Sequence, residues 1–240
     1  MKDNKIKSSA IVLAGGRGSR MESDIPKQYI NVCGYPLIYY SLKVFEDSFV
    51  DEIVLVCGSG DEEYCRKEIV EKYDFKKVKH ITAGGKERFN SVYNGLCAIG
   101  GCDIVFIHDG ARPFINETML KRVLDETIKH HATVAAVASK DTVKIADAEG
   151  FAASTPNRSS VYIMQTPQTF DYKEIKEAYD MLLENEQRLK DEGIAITDDA
   201  MVMEQFGTRR VKFVEGDYKN IKITTPEDIL IAEAFLNERK

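Results

Sequence analysis

The 240-residue sequence has no excess of positive charge, no long apolar run and no Cys-x-x-Cys pair. Its 33 Lys and Arg residues against 39 Asp and Glu residues give a net charge of −6, which argues against non-specific binding of nucleic acid. No apolar run approaches the ~20 residues of a membrane span. The apolar stretch at 10–13, behind a charged N-terminus, is too short for a signal peptide. We therefore expect neither nucleic acid nor membrane among the partners.

The cysteines are few, and their number, five, is odd. Cys57 lies in an apolar run and Cys97 in a helix-like stretch, and neither setting is typical of a zinc site or a disulfide framework. We expect free, buried and reduced thiols. Reduced thiols, together with the missing signal peptide, predict a cytoplasmic protein.

Length and composition predict a single domain over residues 1–240. A chain of this size buries roughly 70–75% of its unfolded surface, so its core needs neither a disulfide nor a metal. Hydrophobic residues make up 43% and charged residues 30% of the sequence, a balance that excludes a disordered chain. No internal repeat, low-complexity tract or linker divides it.

Apolar, β-branched runs alternate along the chain with amphipathic segments. Because such runs are buried on both faces, the alternation predicts an α/β fold with a mostly parallel sheet and helices on both faces. In such sheets ligands bind at the carboxyl ends of the strands. The predicted strands are 9–14, 52–57, 103–107 and 133–138, and the predicted helices are 37–45, 61–73, 87–99 and 116–130.

Residues 140–160 interrupt the alternation. They are polar, contain Gly150, Pro156 and Asn157, and offer only short β-like pieces such as 142–145. We interpret the segment as a hairpin-like arm that leaves the domain. A flexible surface loop is the alternative that the pattern leaves open.

The strongest motif is Leu-Ala-Gly-Gly-Arg-Gly-Ser-Arg-Met at 13–21, which directly follows the first predicted strand. Its glycines let the backbone approach a phosphate chain closely. The motif is neither a Walker loop nor a dinucleotide fingerprint, because the residues that close those motifs are absent. Arg17, Arg20 and, after Pro26, Lys27 add a density of positive charge that suits a triphosphate. A tight turn with solvated charges is the alternative.

Two further clusters follow predicted strands. Asp109, in the run His-Asp-Gly-Ala-Arg-Pro, suits a ribose hydroxyl or a metal-bound phosphate, although Asp-Gly also marks a simple turn. For His108 we expect a packing or hydrogen-bonding role rather than that of a base. Gly84 and Gly85 expose backbone groups that can contact a base edge, and Ser91 adds a hydroxyl one turn into the next helix.

The last clusters are less specific. Thr197 is a plausible helix cap, and the paired acids that follow it, Asp198 and Asp199, could bind a metal or sit in the first helical turn. Residues 220–228 predict a strand that runs into a helix, with Lys222 either facing solvent or pointing inward. The run Gln-Thr-Pro-Gln at 165–168 is expected to follow a strand at 161–164.

The loop with its downstream Pro-Lys resembles the nucleotidyltransferases that activate sugar phosphates, which implies a Rossmann-like fold. Together with His-Asp-Gly-Ala-Arg-Pro, Gln-Thr-Pro-Gln, Thr-Asp-Asp-Ala and Asn-Ile-Lys-Ile-Thr-Thr-Pro-Glu-Asp, it resembles most closely the 2-C-methyl-D-erythritol 4-phosphate cytidylyltransferases of the non-mevalonate isoprenoid pathway. The resemblance runs from about residue 11 to 236. It implies transfer of CMP from CTP to the polyol phosphate, release of pyrophosphate, and a homodimer with exchanged arms at about 140–160.

The resemblance also implies roles for individual residues. Mg²⁺ is expected mainly on the triphosphate, with Asp109 as a possible contact. Because the attacking phosphate is already mostly dianionic at pH 7, with a second pKa near ~6, catalysis needs charge neutralisation rather than a base. The implied residues are Arg20, Lys27, Arg158 and Lys222 for catalysis, Ala14, Gly15, Gly16, Gly18, Gly84, Gly85, Ser91 and Asp109 for the nucleotide, and Arg112, Thr166 and Thr197 for the polyol phosphate.

Three alternatives stay open at the level of sequence. The first is a ribitol-5-phosphate cytidylyltransferase, which would use the same loop on another polyol phosphate. The second is a nucleotidyltransferase of another sugar or base. The third is a catalytically silent binding or scaffolding protein, against which Arg20, Lys27 and Lys222 argue, because a silent relative does not need them.

Overall fold

A seven-stranded, mostly parallel sheet forms the centre of the computed structural model, which describes residues 6–16, 21 and 25–238. The order across the sheet is β11-β7-β10-β6-β1-β4-β5. Only β10 among these strands runs antiparallel to its neighbours. The sheet strands are β1 (Ser8–Ala14), β4 (Glu52–Cys57), β5 (Val78–Ala83), β6 (Ile104–Asp109), β7 (Ala132–Ala138), β10 (Tyr162–Asp171) and β11 (Lys212–Glu215).

Helices cover both faces of this sheet, which confirms the predicted α/β architecture. The helix α2 continues directly as a π-helical segment, Cys65–Glu71, where a single α-helix over 61–73 was expected. The helices are α1 (Leu37–Asp47), α2 (Glu62–Tyr64), α3 (Arg88–Ala98), α4 (Glu117–His130), α5 (Tyr172–Glu184), α6 (Glu186–Asp191), α7 (Asp199–Phe206) and α8 (Pro226–Asn237).

The alternation of side chains along β1 shows how the sheet separates two apolar layers. Ala10 and Val12 pack in the layer that contains residues of α1 and α4. Ile11 packs in the opposite layer with residues of α3, α5 and α7. Because successive side chains of a strand point to opposite faces, a continuous apolar run is buried on both sides. This is the physical reason that the run at 52–57 predicted β4 with its observed bounds.

Three predicted boundaries near the site are wrong. Strand β6 extends two residues beyond the predicted end and includes His108 and Asp109. Strand β10 continues through 165–168 to Asp171, so the Gln-Thr-Pro-Gln run lies inside a strand, next to a register shift between Met164 and Gln168. Residues 221–224 belong to neither a strand nor a helix. Contacts with neighbouring elements, rather than the local sequence, set the end of β6, the length of β10 and the course of residues 221–224.

The segment at 140–160 forms the predicted hairpin-like arm. Strands β8 (Ile145–Ala146) and β9 (Ala152–Ser154) pair antiparallel, so the β-structure begins at Ile145 rather than at 142 as expected. Nearly all side chains of the segment are exposed, and Phe151 exposes 69% of its surface. A separate two-stranded pair, β2 (Asn31–Val32) and β3 (Tyr35–Pro36), precedes α1.

The cysteines differ in how far they are buried. All five thiols are free, and Cys57 and Cys65 are buried, but Cys97 is exposed, so the expectation of buried thiols is wrong for it. Cys97 lies on α3 near its end, where the helix faces solvent. Among the described residues no helix has both the length and the apolar character that a bilayer crossing requires.

Candidate active site

A cleft opens where the carboxyl ends of β1, β5 and β6 converge. Parallel strands place their carboxyl ends at one edge of a sheet, where ligands of this fold class bind. The cleft contains a cavity of about 260 Å³. Its lining combines backbone from two glycine-rich turns with four basic side chains: Leu13, Ala14, Gly15, Gly16, Lys27, Gln28, Gly85, Lys86, Glu87, Arg88, Ser91, Asp109, Ala111 and Lys222.

Two glycine-rich turns form the floor of the cleft. The backbone N–H of Gly84 donates to the carbonyl of Cys57 at 2.7 Å, which ties the end of β5 to the end of β4. A Cβ on Gly84 would lie 2.8 Å from Oγ of Ser91 and 3.1 Å from the Cys57 carbonyl oxygen. A Cβ on Gly85 would lie 2.3 Å from Cβ of Asn90. Glycine is therefore required at both positions by close approach.

The start of α3 positions the polar groups that were expected to contact a base. The N–H of Gly85 donates to Oγ of Ser91 at 3.0 Å, and that hydroxyl donates to the Glu87 carbonyl at 3.2 Å. Glu87 and Asn90 form a reciprocal capping box at the helix N-terminus. The structure thus brings Gly84, Gly85 and Ser91 together beside the cleft.

The first glycine-rich loop is described only in part. Ala14, Gly15 and Gly16 line the cavity, and the side-chain amide of the buried Gln28 donates to the Ala14 carbonyl. Arg17, Gly18, Ser19 and Arg20 lie outside the described residues. For Gly18 and Arg20 the expected contacts with a triphosphate stay predictions.

Asp109 pairs with two of the basic residues that line the cleft. Its carboxylate lies between two cations: Oδ2 is 2.7 Å from Nζ of Lys222, and Oδ1 is 3.3 Å from Nε of Arg88. Burial alone would raise the pKa of this carboxyl, but Arg88 and Lys222 together hold the pKa well below its ordinary value. Asp109 is therefore ionised at neutral pH, and Lys222 points inward rather than to solvent.

Lys27 and Lys222 reach the same cavity from distant parts of the chain. Lys27 begins a short 3₁₀ turn, Lys27–Tyr29, and its Nζ donates to the Ile223 carbonyl at 2.9 Å. The N–H of Ile223 in turn donates to the Ala111 carbonyl at 2.9 Å. The segment at 221–224 is thereby attached to the turn that follows β6, and both lysines line the cleft.

Arg88 and Asp199 belong to the site although neither was predicted as a site residue. Arg88 makes a bidentate pair with Asp199, with both N···O distances 2.8 Å, and the Asp199 side chain is completely buried. Arg88 lies three residues after Gly85, at the start of α3, and this position next to the Gly-Gly turn is the signal that could have indicated it. Asp199 was interpreted only as a metal ligand or a residue of the first turn.

Asp198, rather than Thr197, caps α7. Oδ1 of Asp198 accepts from the N–H of Met201 at 2.9 Å, whereas the exposed Thr197 hydroxyl contacts the sulfur of Met201 at 3.8 Å. The expectation that Thr197 is the cap is wrong. The carboxylate is the stronger acceptor, and its position three residues before Met201 suits the N-cap geometry.

His108 has the expected structural role. It is fully buried, its Nδ1 lies 2.9 Å from Oγ1 of Thr166, and its Nε2 lies 3.2 Å from the Arg112 carbonyl. Burial lowers the pKa of His108 to about 4. The ring is therefore neutral at pH 7, and both of its nitrogens are engaged away from the cleft.

The residues expected to hold the polyol phosphate are not gathered in the cavity. Thr166 is buried and its hydroxyl accepts from the N–H of Asp109 at 3.1 Å. Arg112 donates to the Asn220 carbonyl at 2.8 Å, and its buried Nε has no partner among the described residues. Arg158, on an exposed 3₁₀ turn of the arm, donates a long bond of 3.4 Å to the Lys140 carbonyl.

The whole chain matches one family of known proteins. A family model described as 2-C-methyl-D-erythritol 4-phosphate cytidylyltransferase matches residues 8–238, which include every element of the cleft. The chain belongs to this cytidylyltransferase family. The resemblance predicted from the motifs is thereby confirmed, and so is the enzyme class.

Relatives and solved structures of this cytidylyltransferase family agree with the match. The cytidylyltransferase of Lachnoclostridium phytofermentans is 47% identical over 234 residues, covering 98% of each chain. That of Lachnospira eligens is 50% identical over 230 residues, covering 95% of this chain and 99% of its own. The crystal structure of 4-diphosphocytidyl-2C-methyl-D-erythritol synthase from Anaerococcus prevotii superposes with a TM-score of 0.83 at 38% identity, with 97% and 96% of the two chains covered.

The family assignment decides between the functions that the sequence left open. Cytidylyl transfer to 2-C-methyl-D-erythritol 4-phosphate, in isoprenoid biosynthesis, is confirmed as the function of this family. The match gives no support to a ribitol-phosphate enzyme, to a transferase of another base or to a silent relative. It does not by itself assign a role to any one residue.

The cleft suits a magnesium ion that arrives with a nucleotide rather than one held by protein ligands alone. The described residues contain no group of three or more His, Cys, Asp or Glu side chains placed to hold a metal. Two acids, Glu87 and Asp109, line the cavity together with the basic residues, and the Glu87 side chain is engaged in the capping box of α3. Because Mg²⁺ commonly binds one carboxylate and several phosphate oxygens, Asp109 is the residue that fits it here.

Proposed function

We propose that this chain transfers CMP from CTP to 2-C-methyl-D-erythritol 4-phosphate in the cleft between the two glycine-rich turns. The single observation that carries the proposal is the convergence of Lys27 and Lys222 on one cavity floored by glycine backbone. That arrangement concentrates positive charge in a protein whose net charge is −6. A polyphosphate is the ligand that such a cavity favours.

The reaction needs charge neutralisation more than proton transfer. A phosphate oxygen of the polyol phosphate attacks the α-phosphorus of CTP, a new P–O bond forms, and the bond to the β-phosphate oxygen breaks to release pyrophosphate. The nucleophile is largely dianionic at pH 7, since its second pKa is near ~6. The reaction therefore needs no base, and the neutral His108 contacts Thr166 and the Arg112 carbonyl rather than the cleft.

Cationic side chains reduce the repulsion between the attacking and the attacked phosphates. Lys27 and Lys222 stabilise the charge that builds up on the α-phosphate and on the leaving pyrophosphate, and Arg20 adds a third charge from the first loop. Mg²⁺ bound to the triphosphate supplies further neutralisation, and Asp109 is the residue that would hold it. Positioning of the two substrates provides the remaining rate enhancement.

The base and the acceptor contact different groups of residues in this proposal. Gly84, Gly85 and Ser91 contact cytosine, and Ala14, Gly15, Gly16 and Gly18 surround the triphosphate. On the acceptor side Arg112, Thr166 and Thr197 hold the polyol phosphate, and Arg158 reaches it from the arm of a second subunit. Nε of Arg112, which is buried and has no hydrogen-bond partner among the described residues, is the observation that supports this assignment.

We further propose a cytoplasmic homodimer with exchanged arms. Ile145 and Phe151 on the arm, and Ile163 at the start of β10, are large exposed apolar residues. Exposed apolar surface of this kind is typical of protein interfaces. An arm that crosses to a second copy would cover it and would carry Arg158 toward the partner's cleft. Five free thiols support a reducing compartment.

Pyrophosphate release with matched substrate panels tests the function. We expect rapid release with CTP and 2-C-methyl-D-erythritol 4-phosphate, and release at least about tenfold slower with UTP, ATP or GTP, because a mismatched buried polar pair costs about 1–3 kcal/mol. Ribitol 5-phosphate serves as the matched acceptor control. Comparable kcat/KM for CTP and UTP, or faster turnover of ribitol 5-phosphate, would contradict the proposal.

A further inference from the structure

Five side chains from five parts of the fold form one continuous polar chain that ends in the cleft. The Tyr179 hydroxyl on α5 donates to Oδ1 of Asp199 at 2.6 Å. Asp199, at the start of α7, binds both terminal nitrogens of Arg88 at 2.8 Å. Arg88 then contacts Asp109, and Asp109 contacts Lys222 at 2.7 Å.

Asp199 is the anchored end of this chain. Its side chain has no exposed surface, and both of its oxygens accept hydrogen bonds from Arg88, with Tyr179 as a third donor. A bidentate guanidinium–carboxylate pair fixes the plane of the Arg side chain as well as its distance. Nε of Arg88 is therefore held at a definite place, 3.3 Å from Oδ1 of Asp109.

The position of Arg88 in turn determines how Asp109 can act on Lys222. Oδ1 of Asp109 is occupied by Arg88, which leaves Oδ2 for Nζ of Lys222. Lys222 lies on a segment outside the sheet and the helices, so its side chain needs a partner from elsewhere in the fold to hold it toward the cavity. Without Asp199, Arg88 would be free to bind Asp109 through its terminal nitrogens and to displace Lys222.

We propose that Asp199 is a positioning residue for cytidylyl transfer, which acts through Arg88 and Asp109 to hold Lys222 at the reacting phosphates. The inference rests on the proposed function, because it assigns Lys222 to the reaction. It differs from a purely structural role in one respect. Loss of a purely structural residue would lower kcat whether or not Lys222 is present. Loss of Asp199 is expected to lower kcat only while Lys222 is present.

The first test compares Asp199→Asn with the parent enzyme. Asparagine keeps the size of the side chain and removes its charge. Outer partners that orient a functional group are typically worth about 10–100-fold, and we expect kcat to fall within that range. The KM for 2-C-methyl-D-erythritol 4-phosphate should stay within about twofold of the parent value, since binding of the acceptor is not the step affected.

The matched control is Glu174→Gln. Glu174 also pairs with an arginine: Nε of Arg209 donates to both of its carboxylate oxygens, at 2.9 and 3.0 Å, and a terminal nitrogen lies 2.9 Å from Oε1. Glu174 lies on α5, the helix that carries Tyr179. This pair lies outside the cavity. Glu174→Gln should therefore leave kcat unchanged, which shows that loss of a carboxylate–arginine pair alone does not slow the enzyme.

A double-mutant cycle with Lys222→Met decides between the two roles. If Asp199 acts through Lys222, Asp199→Asn should lower kcat by less than about twofold when Lys222 is already methionine. The same tenfold or larger factor in both backgrounds would overturn the inference, and so would parent-like activity of Asp199→Asn. If Asp199→Asn does not fold, Tyr179→Phe, which removes one hydrogen bond and keeps the charge, replaces it in the same cycle.

The parent enzyme separates this inference from the proposed function. A parent that releases no pyrophosphate from CTP and 2-C-methyl-D-erythritol 4-phosphate contradicts the function. A parent that is active, with variants that fail the cycle, contradicts only the positioning role of Asp199.

Discussion

Lys222 shows at the scale of one residue why a lysine between two isoleucines can face inward. Ile221 and Ile223 pack against the small apolar cluster around Phe114, and Ile223 is completely buried. Lys222 lies between them and pairs with a carboxylate, Asp109, while 38% of its side chain stays exposed. A charge in this setting is retained because it is paired and because a ligand can share it.

Lys222→Met should lower kcat by about 10²–10³, the usual loss when one preorganised charge donor is removed. Methionine preserves most of the side-chain volume, so we expect the circular dichroism spectrum of the parent. The measurement is the rate of pyrophosphate release at saturating CTP. The same loss is expected for Lys27→Ala and for Arg20→Ala.

The control for this prediction is Lys219→Met. Lys219 lies three positions away, outside the cavity, and pairs with Glu238 at 2.6 Å. Its replacement should leave kcat unchanged. Turnover of Lys222→Met or Lys27→Ala within a few-fold of the parent would show that the cavity is not where the phosphates react.

His108 predicts how stability depends on pH. Its pKa is about 4 in the folded protein against an ordinary value of 6.5. Between these values the unfolded chain binds a proton that the folded protein does not, so the free energy of unfolding falls as pH drops through this window and is steady above it. From pH 7 to pH 5 we expect a loss of about 2 kcal/mol from this residue.

Urea unfolding of the parent and of His108→Gln at pH 7 and pH 5 measures that loss. Glutamine retains hydrogen-bonding groups and does not titrate. The loss in the free energy of unfolding between pH 7 and pH 5 should therefore shrink by most of the ~2 kcal/mol, to within the worth of one hydrogen bond, ~1 kcal/mol. His130→Gln, which replaces an exposed histidine of α4, should keep the parent dependence. An unchanged dependence in His108→Gln would show that the buried ring is not its source.

At the scale of elements, the start of α8 holds the segment that carries Lys222. Oδ2 of Asp228 accepts from the N–H groups of Thr224 at 2.7 Å and Thr225 at 2.9 Å, and from the Thr224 hydroxyl at 2.9 Å. Thr225 completes the capping box. The cap of the helix thus also fixes the chain that enters the cleft.

Asp228→Ala should lower both stability and activity. Loss of a helix cap costs about 0.5–2 kcal/mol, and the freed segment should no longer hold Lys222 in place, so we expect kcat to fall as well. Thermal unfolding and pyrophosphate release measure the two effects.

Asp171→Ala provides the matched cap. Asp171 caps α5 by accepting from the N–H groups of Lys173 at 3.1 Å and Glu174 at 3.3 Å, outside the cavity. It should lose a similar amount of stability and retain the kcat of the parent. Equal losses of kcat in both variants would mean that the cap of α8 has no special connection to the site.

At the scale of the whole molecule, the arm determines whether one subunit can form a complete site. Arg158 lies on the arm, and its side chain donates a bond of 3.4 Å to the Lys140 carbonyl. Lys27 lies in the cleft of its own subunit. If arms are exchanged, each site contains Lys27 of one chain and Arg158 of the other.

Mixed dimers test this arrangement. Lys27→Ala and Arg158→Ala are each expected to be inactive, and they are mixed in equal amounts after dissociation and reassociation. Random pairing makes about half of the dimers mixed, and each mixed dimer has one intact site, so activity should return to about a quarter of the parent value.

Mass spectrometry provides the control, because it confirms that mixed dimers have formed. If mixed dimers are present and activity stays at the level of the separate variants, Arg158 serves its own subunit. A protein that remains monomeric at assay concentration would also contradict the exchanged-arm dimer.

The sequence by itself determined the layered α/β fold, most strand positions and the family. These features depend on local patterns: a buried strand needs a continuous apolar run, and a phosphate loop needs consecutive glycines, so both can be recognised from neighbouring residues. Lys27 and Lys222 could be singled out for the same reason, since each stands in a characteristic motif.

Only the tertiary structure decided what the charged residues contact. Arg88 and Asp199 are separated by 111 positions, and nothing in either local pattern indicates the other. The direction of Lys222 and the course of β10 through 165–168 also depend on partners from other elements. A carboxylate or a cation takes its role from whatever the fold places within about 3 Å of it, and local sequence does not contain that information.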